Sequence, residues 1–310
     1  MNIIMKEMPL EKRKITSSRL ILGCSGFTNH FNKNAYTKEE LLKAEKAVDA
    51  ALATGITMFD CSDSYCMGKA EMMFGEILSS NSNLRENIII QSKCGSYYTA
   101  EKNIKYYDLS KKYILNSVDE ILKRLNTEYL DILIIPGADP LMEVEEISET
   151  FDKLIDLGKV KHFGVSNMNT EQIKYLNSYC KESIIVNQNT GMNINFSDGI
   201  IEYCNLKDIQ IQAYLSLENG IYDGNIVENI SEVDFQAKRL LEKVAKEKET
   251  TLEAIVLGWL MKHPAMIQPV LRTINTDVIQ NCRAAIKQAK EMNKEEWYEL
   301  YNVFIAKRNF

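Results

Sequence analysis

The feature that most constrains this chain is an alternation. Short apolar runs follow one another through the sequence, each closing on a polar or turn residue, and nearly every one is followed by a helical pattern. Eight such runs can be counted from Leu20 onward: Arg19 to Gly23, Ile56 to Asp60, Ile88 to Lys93, Leu130 to Ile135, His162 to Ser166, Ile184 to Gln188, Gln210 to Tyr214 and Pro269 to Arg272. Between them, Thr37 and Glu40 form a capping box ahead of Leu41, Val48 and Leu52, and Ser110 precedes Ile114, Val118, Ile121 and Leu125 at helical spacing. Further helices are expected over Lys69 to Leu78, Ile147 to Leu157 (stopped by Gly158), from Thr170, and over Gly199 to Cys204. A long helical region from Val233 to Met261 should break at a second capping box, Thr250 to Glu253, before helices over Asp277 to Ala289 and Lys294 to Ala306. A hairpin lead-in up to Ser18, a tyrosine-rich loop around Tyr97 to Tyr107 and an irregular segment up to about Ile230 complete the reading. Alternation of this kind is the signature of parallel βα units, and eight of them favour a closed (β/α)8 TIM barrel, an α/β fold. No linker or shift in composition divides residues 1–310, so one domain is expected. The competitor is an open doubly wound sheet. A dinucleotide-binding sheet of that kind carries a glycine-rich first turn, and Gly23-Cys24-Ser25-Gly26 lacks the third glycine and the spacing.

In a barrel the chemistry lies where the strands end. Asp60, Lys93, Asn167, Gln188, Tyr214 and Arg272 all fall at such ends, with Tyr65 one loop-step beyond Asp60. A carboxylate, an ammonium and a phenol on neighbouring strands can share a pocket in which the charges tune the hydroxyl. The bland reading of the same residues is a capping aspartate, a buried ion pair and a packed tyrosine.

A net charge of −6, with lysines spread along helices, leaves no basic footprint for nucleic acid. No run reaches the length of a membrane span, and the first residues lack the apolar core of a signal peptide, so a cytoplasmic protein with a small-molecule substrate is expected. Nothing in the sequence sets an oligomeric state. Seven cysteines without a C-x-x-C pair argue for reduced thiols. Cys24, Cys61, Cys66 and Cys94 cluster at strand ends, where packing is the expected role. His30, His162 and His263 show no metal-ligand spacing, and no metal site is expected.

Several longer stretches carry a resemblance: Gly55 to Asp60 with Asp63 and Tyr65, Gln91 to Gly95, Tyr129 to Asp131, Asp139 to Met142, Gly158 to Asn167, and Asn187-Gln188. Through them the chain, from about Arg19 to Trp297, resembles the aldo-keto reductase superfamily and its bacterial oxidoreductase branch. The resemblance implies a barrel that binds a nicotinamide cofactor across the strand ends and passes hydride to a carbonyl. Of that family's Asp, Tyr, Lys and His tetrad it assigns Asp60, Tyr65 and Lys93. Tyr65 would be the proton donor, its phenol lowered from about 10 by the Lys93 ammonium that Asp60 holds. The histidine position is Pro136, which has no side-chain donor; losing one oxyanion donor costs roughly 3–4 kcal/mol in hydrolases.

On the cofactor side the resemblance implies Ser166, Asn167 and Gln188 at the carboxamide and Tyr214 under the nicotinamide ring, with Gly23, Ser25 and Gly26 on the same rim. Leu215 and Leu217 belong to a phosphate loop in which Glu218 is an unfavourable neighbour for a pyrophosphate. Arg272 and Thr273 match a pair that binds a 2′-phosphate, and Val278 stands where a second arginine is usual, so NADP(H) is expected ahead of NAD(H) with a weakened preference. Phe27, Tyr97, Tyr98 and Pro136 are expected to line the substrate mouth. The implied activity is NAD(P)H-dependent reduction of a small carbonyl, imine or activated alkene. The rival reading is a catalytically impaired nucleotide sensor or regulatory partner on the same barrel. A lyase or isomerase would want a metal cluster or late phosphate-binding glycines, and neither appears in the sequence.

Overall fold

The structure is a computed structural model that describes residues 17–28, 35–99, 104–137, 139–191, 196, 198–214 and 232–306. Its strands are β1 (Ile21–Gly23), β2 (Met58–Asp60), β3 (Ile89–Lys93), β4 (Ser96–Thr99), β5 (Ile104–Tyr107), β6 (Leu130–Ile135), β7 (Val160–Ser166), β8 (Val186–Thr190), β9 (Gln210–Tyr214) and β10 (Gln268–Leu271). The helices are α1 (Lys38–Thr54), α2 (Lys69–Ser79), α3 (Lys111–Leu125), α4 (Val144–Asp156), α5 (Thr170–Asn177), α6 (Ile200–Leu206), α7 (Glu232–Glu247), α8 (Leu252–Lys262), α9 (Thr276–Asn281), α10 (Ala285–Glu291) and α11 (Lys294–Ala306).

Eight strands close into a barrel in the order β1-β10-β9-β8-β7-β6-β3-β2, and β1 pairs in parallel with β2 to complete the ring. The (β/α)8 barrel expected from the alternation is the observed fold. Strand side chains alternate between two environments. Leu20, Leu22, Phe59, Ile90, Leu133 and Val165 pack outward with Val48, Phe74 and Ile114 of the helices. Ile21, Met58, Ile132, Ile134 and Val270 form a smaller cluster inside the ring.

The sequence signals explain most boundaries. Thr37 caps α1 through the reciprocal bonds of a capping box with Glu40, and Ser110 caps α3 by accepting from the Tyr113 N–H. Gly158 follows α4 with φ 68°. The second capping box is shifted. Thr251, not Thr250, caps α8, accepting from the Ala254 N–H, so Glu253 is not placed to reciprocate. The expected helix over Asp277 to Ala289 is divided into α9, a 3-10 turn over Cys282–Ala284, and α10. The tyrosine-rich stretch is not a loop: β4 and β5 pair as an antiparallel hairpin, with Tyr97 stacked on Tyr106 at 5.0 Å between ring centroids. The lead-in before Ser17 and the segment 215–231 lie outside the described residues.

Two glycines permit close approaches. A Cβ on Gly75 of α2 would sit 2.1 Å from the Arg124 carbonyl oxygen of α3, and one on Gly23 would sit 2.8 Å from the Leu271 carbonyl oxygen of β10. The end of the barrel where the strands begin is tied by Asp131. Its carboxylate accepts from Arg85 at 2.9 Å, from Lys161 at 3.0 Å and from the Ile90 N–H at 3.0 Å.

Candidate active site

β2 ends on Asp60, the next residues turn, and a 3-10 turn over Tyr65–Gly68 follows at once. This brings Tyr65 back over its own strand. Cys66 and Met67 hold φ 50° and 62°, and Gly68 φ 82°, a left-handed run that redirects the chain into α2. β3 pairs beside β2, with Asp60 opposite Gln91, so Lys93 lies one inward position further along. Its Nζ lies 2.6 Å from both Asp60 oxygens and 5.0 Å from the centre of the Tyr65 ring, and the Tyr65 hydroxyl donates to Asp60 Oδ2 at 3.4 Å.

Burial outweighs Lys93 at the phenol and pushes Tyr65 well above the ordinary tyrosine range, with Asp60 adding to the rise. The lowered phenol expected from the sequence is therefore not what this geometry produces, and Tyr65 stays a protonated hydroxyl. Burial alone would depress the Lys93 ammonium. Asp60 and Tyr65 more than reverse this and hold it above its usual value.

A cavity of about 270 Å³ opens beside this trio. Tyr65, Lys93 and Pro136 stand in its wall together with Ser166, Asn167, Gln188 and Tyr214 from the ends of β7, β8 and β9. Asn167, at φ 55°, turns its amide onto the Ser166 hydroxyl at 3.1 Å and the Tyr214 hydroxyl at 3.3 Å, and Thr190 donates to the same Tyr214 oxygen at 2.8 Å. The Tyr214 ring is thus fixed by its hydroxyl while its half-buried face stands at the cavity. A planar amide-bearing ring fits this donor set, because the Ser166 hydroxyl and the Asn167 amide offer both donors and acceptors at one edge. Gln188 is mainly committed elsewhere: its Nε2 donates to Asp60 Oδ1 at 2.9 Å.

Other expected positions divide. Phe27 is 1% exposed and packs edge-on against Phe74 in the core, so it does not line the mouth. Tyr97 is held between Tyr106 and Tyr113, and Tyr107 and Ser96 of the hairpin stand in the wall instead. Gly23 serves the β1–β10 approach. Gly26 packs on Thr273 and Ile274, which brings the exits of β1 and β10 together near exposed Arg272. Thr273 accepts from the Asn275 N–H at 3.1 Å. Leu215 and Leu217, like Glu218, fall outside the described residues.

Asp63, Ser62 and Ser64 also line the cavity, and Asp63 accepts from the Tyr113 hydroxyl at 3.1 Å. Behind Lys93, the wholly buried Glu71 of α2 accepts from Ser92 at 2.6 Å and from Arg124 at 2.7 Å. Nothing in the sequence distinguishes Glu71 from other helical glutamates; its place on the inner face of α2 does. The thiols at the rim are packing groups. Cys24, Cys61, Cys66 and Cys94 are buried, and burial pushes the Cys61 thiol up beside Cys24. Among the described residues no cluster of His, Cys, Asp and Glu could hold a metal ion, and no helix is long and apolar enough to cross a membrane.

Residues 19–303 match the Aldo/keto reductase family. The chain belongs to that family. Among its relatives, a 6-dehydroglucose reductase of Agrobacterium fabrum is 32% identical over 273 residues, covering 84% of this chain and 87% of the relative. An uncharacterised oxidoreductase of Bacillus subtilis is 31% identical over 278 residues, covering 87% and 90%. A glycerol dehydrogenase of Gluconobacter oxydans superposes with a TM-score of 0.78 at 19% identity, covering 94% and 93%, and shares the fold. As an aldo/keto reductase the chain is an oxidoreductase, and enzymes of this family use nicotinamide cofactors.

Proposed function

We propose that this aldo/keto reductase uses NADPH or NADH to reduce a small carbonyl, imine or activated alkene, with Tyr65 as the proton donor. The observation that carries this reading is that Tyr65 and Lys93, the ammonium held by Asp60 behind it, stand in one cavity wall with Tyr214 and Asn167. The bound cofactor supplies a hydride. Ser166 and Asn167 would hold its carboxamide, Tyr214 would lie along its ring, and Arg272 with Thr273 would meet a 2′-phosphate at the exit of β10, favouring NADPH.

Tyr65 keeps its proton in the resting site and gives it up when negative charge builds on a substrate oxygen within hydrogen-bond reach. Lys93 then stabilises the phenolate, and Asp60 keeps the ammonium in place. Pro136 offers no donor, so Tyr65 alone polarises a carbonyl from this side, at a cost of about 3–4 kcal/mol against a site with a second donor. The hydroxyls of Ser62, Ser64 and Ser96 and the Asp63 carboxyl give the wall groups that suit a hydroxylated aldehyde, in keeping with a relative named for reducing 6-dehydroglucose.

The test pairs cofactor titration, followed by protein fluorescence, with oxidation of NADPH and NADH over a panel of aldehydes, ketones, imines and activated alkenes. Tyr65→Phe should lower kcat by about 10²–10⁴-fold and leave cofactor affinity within about twofold. A folded wild type that binds neither cofactor and turns over no member of the panel overturns the proposal.

A further inference from the structure

The interior of such a barrel is ordinarily filled by layers of branched aliphatic side chains. Here glutamines from four strands run through it: Gln91 (β3), Gln188 (β8), Gln212 (β9) and Gln268 (β10), each between 0% and 2% exposed. At the upper end, Asp60 Oδ1 accepts from Lys93 and from Gln91 Nε2, both at 2.6 Å, and from Gln188 Nε2 at 2.9 Å. Behind them, Gln212 Oε1 accepts from the same two amides, at 2.8 Å from Gln91 and 3.1 Å from Gln188. Gln212 Nε2 donates to Gln91 Oε1 at 3.0 Å and to Gln268 Oε1 at 3.4 Å. At the floor, Gln268 Nε2 donates to the Ser18 carbonyl at 2.6 Å and to the Ser17 hydroxyl at 3.0 Å.

Both ends of this column fix its direction. A carboxylate and a backbone carbonyl can only accept. Gln91 and Gln188 must therefore turn their NH2 groups to Asp60, and Gln268 must turn its own to Ser18. That leaves the Gln268 oxygen facing Gln212, which in turn must present its nitrogen downward and its oxygen to the upper two amides. Any single flip would set two oxygens or two NH2 groups against each other without water to relieve them.

We propose that Gln212, which bonds to none of Asp60, Lys93 and Tyr65, is a positioning residue for the reacting centre. It aims the Gln91 and Gln188 amides at Asp60 Oδ1. The two amides share the negative charge that would otherwise be met by Lys93 alone, and so preserve the field of that ammonium at Tyr65. The groups that act on the phenol are Lys93 from β3 and Asp60 and Cys61 from β2 and its exit. Without Gln212 the two amides are free to turn away, the Asp60 charge falls on Lys93 alone, and the phenolate formed in the reaction loses part of its stabilisation. This inference rests on Tyr65 being the proton donor.

Gln212→Met keeps the length and shape of the side chain and removes its polar atoms. Expected are a fall in kcat of about tenfold, KM values for cofactor and substrate within about twofold, and a rise of about one pH unit in the midpoint of the ascending limb of the kcat profile for alcohol oxidation, where Tyr65 must act as base. A purely structural role would lower the melting temperature and leave that limb where it was. A folded Gln212→Met with unchanged kcat and unchanged pH profile overturns the proposal. Should the variant not fold, 15N NMR of the side-chain amides decides instead. Asp60→Asn should move the Gln212 signals, although the two side chains share no bond, and unmoved signals overturn the column. A wild type without turnover counts against Tyr65 as donor, and the NMR result still tests the column separately.

Discussion

Glu71 is a carboxyl without exposed surface, bonded to Ser92 on one side and Arg124 on the other. Burial pushes it up to about 7, against the pull of Arg124 and Ser92. A carboxyl raised in the folded state holds a proton there that it releases on unfolding, so stability falls as pH rises across the interval. Its contribution is complete below about 4.5 and is lost as pH passes through about 7. Urea unfolding of wild type and Glu71→Gln between those values should show the wild-type advantage shrinking with rising pH, and a constant difference on either side. Glu71 also shows what the sequence concealed. Asp60, Tyr65 and Lys93 were legible because each ends a run or follows a turn. Glu71 looks like any helical glutamate until the crossing of α2 on α3 shows which side faces inward.

That crossing belongs to the elements. Gly75 lets α2 approach α3 closely, and an added Cβ would press on the Arg124 carbonyl oxygen. Gly75→Ala should push the helices apart and lower stability by about 1–3 kcal/mol, read as a lower urea midpoint with an unchanged slope. Helix starts were well marked in the sequence, because Thr37 and Ser110 announce themselves one residue ahead. The cap at Thr251 slipped by one because two threonines stand together and either could serve. The β4–β5 hairpin went unseen for a different reason. Its tyrosines stack on one another, and Tyr97 meets Tyr113 of α3 at a tilt, a partner distant enough that no local pattern reports it. Phe27, expected at the mouth, belongs to the core.

For the molecule as a whole, the two ends of the barrel have separate duties. Asp131 gathers Arg85, Lys161 and the Ile90 N–H where the strands begin, far along the ring axis from the cavity. Asp131→Ala leaves the largely buried Arg85 with only the uncharged acceptors of Thr127, Ile88 and Tyr129 and should cost about 3–5 kcal/mol in urea unfolding while kcat of the folded enzyme stays within about twofold. The barrel itself was readable from alternation, since eight runs at this length leave few other ways to bury them. The polar interior was not, even though Gln91, Gln188, Gln212 and Gln268 all lie in strands, because a glutamine in or beside an apolar run says nothing of its partner across the ring. The glutamine column carries a consequence for descent. Gln212 finds every complement in the other three amides, so drift at that position alone leaves a neighbour bereft, whereas exchanging two together for aliphatic groups spares both. A lineage that changes one of the four therefore bears a cost that a second, matching change can lift.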